Sequence, residues 1–291
     1  MSKPKKIIVV TGGAGFIGSH LCERLVKDGH TVVSLDNYFT GSTDNHVKGV
    51  EYRKGHTKDI EKHVPETPDI VYHLGEYSRT AVAIEEPNVV FDLNTLGTFG
   101  VLEHWRKRKY KLVYAGSSTK FADVRADHIE GRHLSPYTYA KAVNTDLVRD
   151  YGRWYQLPWA IAYFYNVYGP RELSGKYGTV VEIFKQQYLA GQPLTMRLPG
   201  TQKRTYTHVL DTVNGLIHIG EQGNNDEFGI AAHETYTTRA VAEMFDTEIE
   251  ELPARKTSRP STPVDTSKLE TLGWQQQHYL TDYIKSITRS R

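Results

Sequence analysis

Ile7-Ile8-Val9-Val10 runs directly into Thr11-Gly12-Gly13-Ala14-Gly15-Phe16-Ile17-Gly18, and the reading of these twelve residues decides the fold. Four β-branched residues in a row suit a strand buried on both faces, as in a parallel sheet. After the glycines, Ser19 to Asp28 has helical spacing, with Phe16, Leu21, Leu25 and Val26 apolar, and Gly29 stops it. Thr31-Val32-Val33-Ser34-Leu35 then reads as a second strand that ends at Asp36. The order is strand, glycine turn, helix, strand, acid. The glycines fit G-x-G-x-x-G at 13, 15 and 18, and G-x-x-G-x-x-G at 12, 15 and 18. One glycine permits the tight turn, one lets the backbone approach a pyrophosphate, and one packs helix against strand. The helix N-terminus then turns free N–H groups and a favourable dipole toward a diphosphate. Asp36 can accept hydrogen bonds from both ribose hydroxyls of an adenosine. Its carboxylate would repel a 2′-phosphate, so NAD is favoured over NADP.

Working outward, Asp69-Ile70-Val71-Tyr72-His73-Leu74, Lys111-Leu112-Val113-Tyr114-Ala115 and Trp159-Ala160-Ile161-Ala162-Tyr163-Phe164 read as further buried strands. Helical patterns separate them, over roughly 89–107 and 138–155. This alternation predicts an α/β chain built on a Rossmann-type doubly wound parallel sheet, with ligands beyond the carboxyl ends of the strands. Gly116-Ser117-Ser118-Thr119 falls at that edge as a loop. Downstream, Ser135-Pro136-Tyr137-Thr138-Tyr139-Ala140-Lys141 puts Tyr137 and Lys141 on one helix face, one turn apart. Tyr139 points elsewhere. Positive charge on Lys141 and on a nicotinamide favours the phenolate form of Tyr137. That phenolate can take a proton from a substrate hydroxyl as hydride leaves the same carbon, and Ser117 can hydrogen-bond the oxygen. In a chain with 19 tyrosines Tyr-x-x-x-Lys also arises by chance. Its weight comes from following a Ser-Ser-Thr loop in a chain that carries a dinucleotide turn.

Composition sets the outer limits. The 291 residues are 38% hydrophobic and 24% charged, enough to fill the core of one large domain or two small ones. A net charge of +2 creates no global field for nucleic acid or an anionic membrane. A single cysteine, Cys22, excludes an intramolecular disulfide and reads as packed and inert. No apolar run approaches the ~18 residues of a membrane span, and Ile7–Val10 is too short for a signal peptide's apolar region. These features predict a soluble, cytoplasmic protein without nucleic-acid or membrane partners. The 13 histidines lack metal-ligand spacing, so no metal site is expected. Arg106-Lys107-Arg108-Lys109 reads as a solvated helix C-terminus, favoured by the dipole.

Thr11–Gly18, Asp36, Ser117, Tyr137 and Lys141 together resemble the extended short-chain dehydrogenase/reductase superfamily. The chain is most similar to its nucleotide-sugar epimerase and dehydratase branch, nearly end to end. His73-Leu74-Gly75 resembles a His-Leu-Ala after the fourth strand, and Asn94-Thr95-Leu96-Gly97-Thr98 resembles an Asn-x-x-Gly-Thr helix start. Asn166-Val167-Tyr168-Gly169-Pro170-Arg171 resembles the motif that opens the sugar-nucleotide subdomain. Arg204-Thr205-Tyr206-Thr207-His208-Val209-Leu210-Asp211, Arg259-Pro260 and Leu272-Gly273-Trp274 resemble later motifs.

The resemblance implies roles for these positions. Gly12, Gly15, Phe16, Ile17 and Gly18 would bind the NAD diphosphate, Asp36 and Asn37 its adenosine ribose, and Asp59-Ile60 its adenine. Leu74, Gly75 and Glu76 would line the path to the nicotinamide, largely through backbone. Lys141 would hold the nicotinamide ribose, and Tyr165 would pack nearby. Tyr137 would be the base, with Ser117 or else Ser118 as hydroxyl partner. Asn166, Arg204 and Arg259 would grip the substrate diphosphate, a task that suits a planar guanidinium. The implied activity is a nucleoside-diphosphate-sugar 4-epimerase with tightly held NAD, acting on UDP-hexoses through a 4-keto intermediate. A keto-sugar reductase, or a non-catalytic nucleotide-binding homologue, are the alternatives. A Rossmann domain over 1–165, rejoined by 205–230, would carry a smaller substrate lobe made of 166–204 and 231–291. A homodimer through the helices near 94–107 and 138–155 is expected from the family.

Departures from the family pattern carry information too. Ser117-Ser118-Thr119 stands where 4,6-dehydratases have Thr-Asp-Glu, which argues against water loss. Gly55-His56 replaces the usual Gly-Asp before the adenine segment. Glu76-Tyr77-Ser78-Arg79 replaces small residues near the sugar site and reads equally as a local ion pair or a sugar-reading element.

Overall fold

The computed structural model describes residues 4–80, 82–117, 135–164, 166–254 and 264–289. The buried run near the N-terminus forms β1 (Ile7–Thr11), followed by α1 (Phe16–Lys27) and β2 (Thr31–Asp36). Helix α1 begins three residues before the expected Ser19, because the turn is complete at Gly15. Next come β3 (Val50–Lys54), α2 (Ile60–His63) and β4 (Ile70–His73). Helix α3 (Pro87–Val90) continues through a π-helical turn (Phe91–Leu96) into α4 (Gly97–Arg108). The Asn94–Thr98 segment therefore lies inside a helical run rather than at its start. Then follow β5 (Lys111–Ser117), α5 (Pro136–Tyr155) and β6 (Trp159–Phe164).

The later elements alternate between two bodies. They are β7 (Val167–Tyr168), α6 (Val180–Leu189), β8 (Leu194–Arg197), β9 (Lys203–Thr205), β10 (Thr207–His208), α7 (Val209–Gln222) and β11 (Asp226–Ile230). The chain continues with β12 (Thr235–Thr237), α8 (Thr238–Glu243), β13 (Ile249–Leu252), α9 (Ser267–Thr271) and α10 (Leu280–Thr288).

Among the described residues, seven strands form one sheet in the order β11-β6-β5-β4-β1-β2-β3, every pair parallel. This is the Rossmann-type α/β sheet that the alternation predicts. Successive β1 residues point to opposite faces, and each face meets its own helical layer. Ile8 and Val10 pack with Leu21 and Leu25 of α1, Leu216 of α7 and Trp274. Val9 packs on the other side with Ile60, Leu102, Trp105 and Val148. A separate core of Tyr168, Val181, Phe184, Met196, Phe245 and Leu280 holds the smaller body together. Strand β11 reaches the large sheet after the chain has visited that smaller body, and it closes the edge beside β6.

Two differences from the sequence reading have simple causes. Strand β5 runs to Ser117 rather than Ala115, because Gly116 and Ser117 still pair with Tyr163 and Phe164 of β6. A Cβ at position 116 would sit 2.7 Å from the Tyr163 ring, so glycine is what lets the two strands stay together there. Strand β3 is half exposed along its length and mostly polar, so it shows no buried run to recognise.

Candidate active site

The sheet order reverses between β1 and β4, and the carboxyl ends of these strands open the crevice where such folds take ligands. Two glycines face each other at that point. Gly12 has φ +73°, and a Cβ on it would come 2.9 Å from the Gly75 Cα. A Cβ on Gly18 would come 2.1 Å from the Gly12 carbonyl oxygen, so α1 can approach β1 only because position 18 is glycine. The left-handed turn at Gly12 makes 12, 15 and 18 the working triplet, while Gly13 packs over Ser34. At the start of α1, Gly15 offers no side-chain acceptor and the first turn carries no acid. The amides of the first turn, from Phe16, Ile17 and Gly18, are thus left for an external anion. A bare helix start beside a cradle that only glycine can form fits a dinucleotide diphosphate.

Asp36 ends β2 buried against this loop. Its carboxylate accepts from the Ala14 amide at 2.9 Å and the Tyr38 amide at 2.8 Å. Burial pushes its pKa up, and these two amides offset only part of that rise. Asn37 is exposed, and its side chain accepts the Phe39 amide at 3.0 Å. Asp59 lies at the surface, paired with Lys62 at 2.8 Å, while the Ile60 side chain is core. Only the Ile60 backbone is left for contact with a ligand.

Across the crevice, the Tyr137 hydroxyl donates to Ser117 Oγ at 3.2 Å, and both residues are buried. Helix α5 sets this geometry from its first turn. Ser135 caps it, accepting the Thr138 amide at 3.2 Å, and Pro136 occupies the position where a missing N–H costs nothing. Lys141, one turn on, is also buried, and its ammonium donates to the Ala115 carbonyl at 2.6 Å. It also pairs with Glu76.

The backbone of Glu76 makes a turn with Leu74, its amide donating to the Leu74 carbonyl at 2.9 Å, but its side chain points inward. Thr98 donates to the carboxylate at 2.8 Å, Asn144 at 2.8 Å and Tyr114 at 3.2 Å. Burial raises this carboxyl's pKa, and the Lys141 charge with the hydrogen bonds from Lys141 and Thr98 outweighs burial, so it is held below the ordinary range. His73, next to it, is pushed down to about 4 by burial and is neutral. The surrounding polar groups form a continuous chain. Gly75 donates to Thr11, Thr11 to His73 Nδ1, His73 Nε2 to Thr98, and Thr98 to Glu76. Asn94 adds a two-sided clamp, with its side chain bonded to the Tyr77 amide at 2.6 Å and the Tyr77 carbonyl at 3.0 Å.

Asn166 takes φ +49°, and its side-chain amide donates to the Thr205 carbonyl at 3.0 Å, which brings it beside Arg204. The Arg204 guanidinium donates to Gln202 at 2.7 Å. Ser118, Tyr165 and Arg259 lie outside the described residues. Sequence reading did not single out Thr98, Tyr114 or Asn144 as site residues. Their partners lie 22 to 68 positions away, and no local pattern encodes such contacts. The motif at 204–211 and Trp274 meet structurally: Trp274 Nε1 donates to the Asp211 carbonyl at 2.9 Å, and the Asp211 carboxylate accepts the Gln277 and His278 amides.

The model of the NAD dependent epimerase/dehydratase family matches residues 8–231. A putative UDP-glucose 4-epimerase of Methanocaldococcus jannaschii is 29% identical over 299 residues, covering 97% of each chain. UDP-glucuronic acid decarboxylase 6 of Arabidopsis thaliana is 31% identical and covers 92% of this chain and 83% of its own. The UDP-glucose 4-epimerase of Thermus thermophilus, solved as a complex with NAD, superposes with a TM-score of 0.86 at 28% identity, covering 97% of this chain and 98% of its own. With its Rossmann sheet, its glycine cradle and this match, the chain belongs to the NAD dependent epimerase/dehydratase family, and its cofactor is NAD.

Proposed function

We propose that the protein is a nucleoside-diphosphate-sugar 4-epimerase that uses NAD, with UDP-hexoses as the substrate class. The observation that carries this reading is the buried Tyr137–Ser117 hydrogen bond of 3.2 Å at the carboxyl edge of β5, with Lys141 one turn below. In this reading Gly12, Gly15, Phe16, Ile17 and Gly18 hold the NAD diphosphate. Asp36 and Asn37 hold its adenosine ribose, with adenine near Asp59 and Ile60. Leu74, Gly75 and Lys141 hold the nicotinamide end. Bound NAD supplies a reversible two-electron oxidation of the sugar at C4. Tyr137 takes the proton from O4 and later returns it, and Ser117 fixes that oxygen by hydrogen bonding. Asn166 and Arg204, brought together by the Asn166–Thr205 hydrogen bond, grip the substrate diphosphate. A firm hold on the diphosphate and a loose one on the sugar let the keto form turn over before it is reduced on the other face.

Proton NMR of the purified protein with UDP-glucose, UDP-galactose and UDP-N-acetylglucosamine, no cofactor added, tests this reading. A mixture of C4 epimers is expected. UDP-glucuronate belongs in the same panel, because the Arabidopsis relative is a decarboxylase. Conversion to a pentose nucleotide with no epimer from any hexose would replace the epimerase reading. Tyr137→Phe should lower turnover by about 10²-fold or more while leaving the NAD content unchanged. Turnover that survives this change would remove Tyr137 from the base role.

We further propose a homodimer through α4 and α5. Phe91, Leu96, Phe99 and Tyr139 are large apolar side chains exposed on or beside these helices, and the Phe91 and Tyr139 rings meet edge to face at 6.3 Å.

A further inference from the structure

Glu76 is a carboxylate placed under the reaction centre, with no direct chemistry assigned to it so far. Its side chain is 1% exposed, so it cannot touch a sugar. Three neutral donors from three elements fix it: Thr98 on α4, Tyr114 on β5 and Asn144 on α5. Its other carboxylate oxygen takes the Lys141 ammonium. An ammonium has three N–H groups. Glu76 and the Ala115 carbonyl take two, which fixes Nζ from two sides and leaves one N–H without a partner among the described residues. The Tyr114 ring supports the same ammonium from 5.0 Å.

This arrangement changes the field at the base. A lone lysine one turn from Tyr137 would act on the phenol with its whole charge. Here an anion is in contact with that lysine in a site from which water is largely excluded, so the two fields partly cancel. Among the described residues, Arg79, on the segment after β4, and Tyr114 on β5 are charged or titratable groups near Tyr137, and His73 on β4 lies beside Glu76. Arg79 itself faces Glu172. None of these groups touches the Glu76 carboxylate except Tyr114, which donates to it.

We propose that Glu76 is a positioning residue of the reaction: it pins the Lys141 ammonium and offsets its charge, so that it sets the pH at which Tyr137 gives up its proton. The proposal rests on Tyr137 being the base, and its test is independent of which sugar is turned over. Tyrosinate absorbance is followed against pH in the protein and in its Tyr137→Phe counterpart, and the difference isolates one hydroxyl. The same pair of titrations is run in a Glu76→Gln background. Removing the anion should bring the Tyr137 transition to lower pH by about one unit. Glu76→Asp, which keeps the charge but withdraws it by a methylene, should give a transition between the two. A Tyr137 transition that stays in place in whichever of these variants folds overturns the proposal, even if the melting temperature falls. If no UDP-hexose is converted and the transition still moves as stated, the epimerase reading fails and the Glu76 proposal stands.

Discussion

Glu172 shows how a single side chain can set a pH dependence of stability. The residue is 9% exposed. One carboxylate oxygen accepts the Thr179 amide at 2.9 Å, and the other is buried with no hydrogen-bond partner among the described residues. Burial pushes its pKa up from 4.5 to about 7, against the pull of Thr179 and Arg79. The folded protein therefore holds this proton more tightly than the unfolded chain does. Its contribution to stability is fully present below pH 4.5 and is lost as pH rises through about 7. Glu172→Gln keeps an acceptor for Thr179 and removes the charge. It should match the parent at pH 4 and exceed it at pH 8 by at most about 3 kcal/mol, read from urea unfolding at both pH values. An equal stability difference at the two pH values would show that Glu172 titrates normally.

At the scale of elements, α5 carries Tyr137 and Lys141, the proposed base and its neighbour, and its first turn orients Tyr137. Ser135→Ala removes the cap and should cost about 1 kcal/mol, a fall in melting temperature of about 2 °C for a chain of this size. Because Tyr137 sits two residues from the cap, turnover should fall by more than the stability loss alone implies. Turnover that is unchanged beside a lowered melting temperature would show that the first turn is held by packing instead. This helix was legible in the sequence because Ser-Pro before an apolar-periodic run is local information. So was the glycine turn, where the approach of Gly18 to the Gly12 carbonyl falls within seven residues, although the contact of Gly12 with Gly75 does not. The π turn at Phe91–Leu96 was not legible, since it preserves the apolar spacing of an ordinary helix on either side. The Glu76 network was open in the sequence between an ion pair and a sugar-reading element. The choice depends on Lys141, 65 positions away, and only the sheet topology brings the two together.

For the molecule as a whole, the proposed homodimer rests on the exposed apolar residues on and beside α4 and α5. Phe99 is 51% exposed and Leu96 54%, an arrangement that a partner surface would relieve. Phe99→Glu is expected to convert a dimer to a monomer in light scattering with little change in the unfolding of each chain. A monomer before the substitution would end the homodimer proposal. No helix among the described residues is long and apolar enough to cross a membrane.

Trp274, finally, is completely buried in the same layer as Ile8 and Val10, on the face of the sheet covered by α1 and α7. Strand β1 thus waits for a side chain far downstream in the chain before its core is dry. A nascent chain cannot finish the nucleotide-binding body and then add the smaller one, because the thread passes through both before the first is sealed. The core of the large sheet is therefore completed only by chain that follows the first elements of the smaller body.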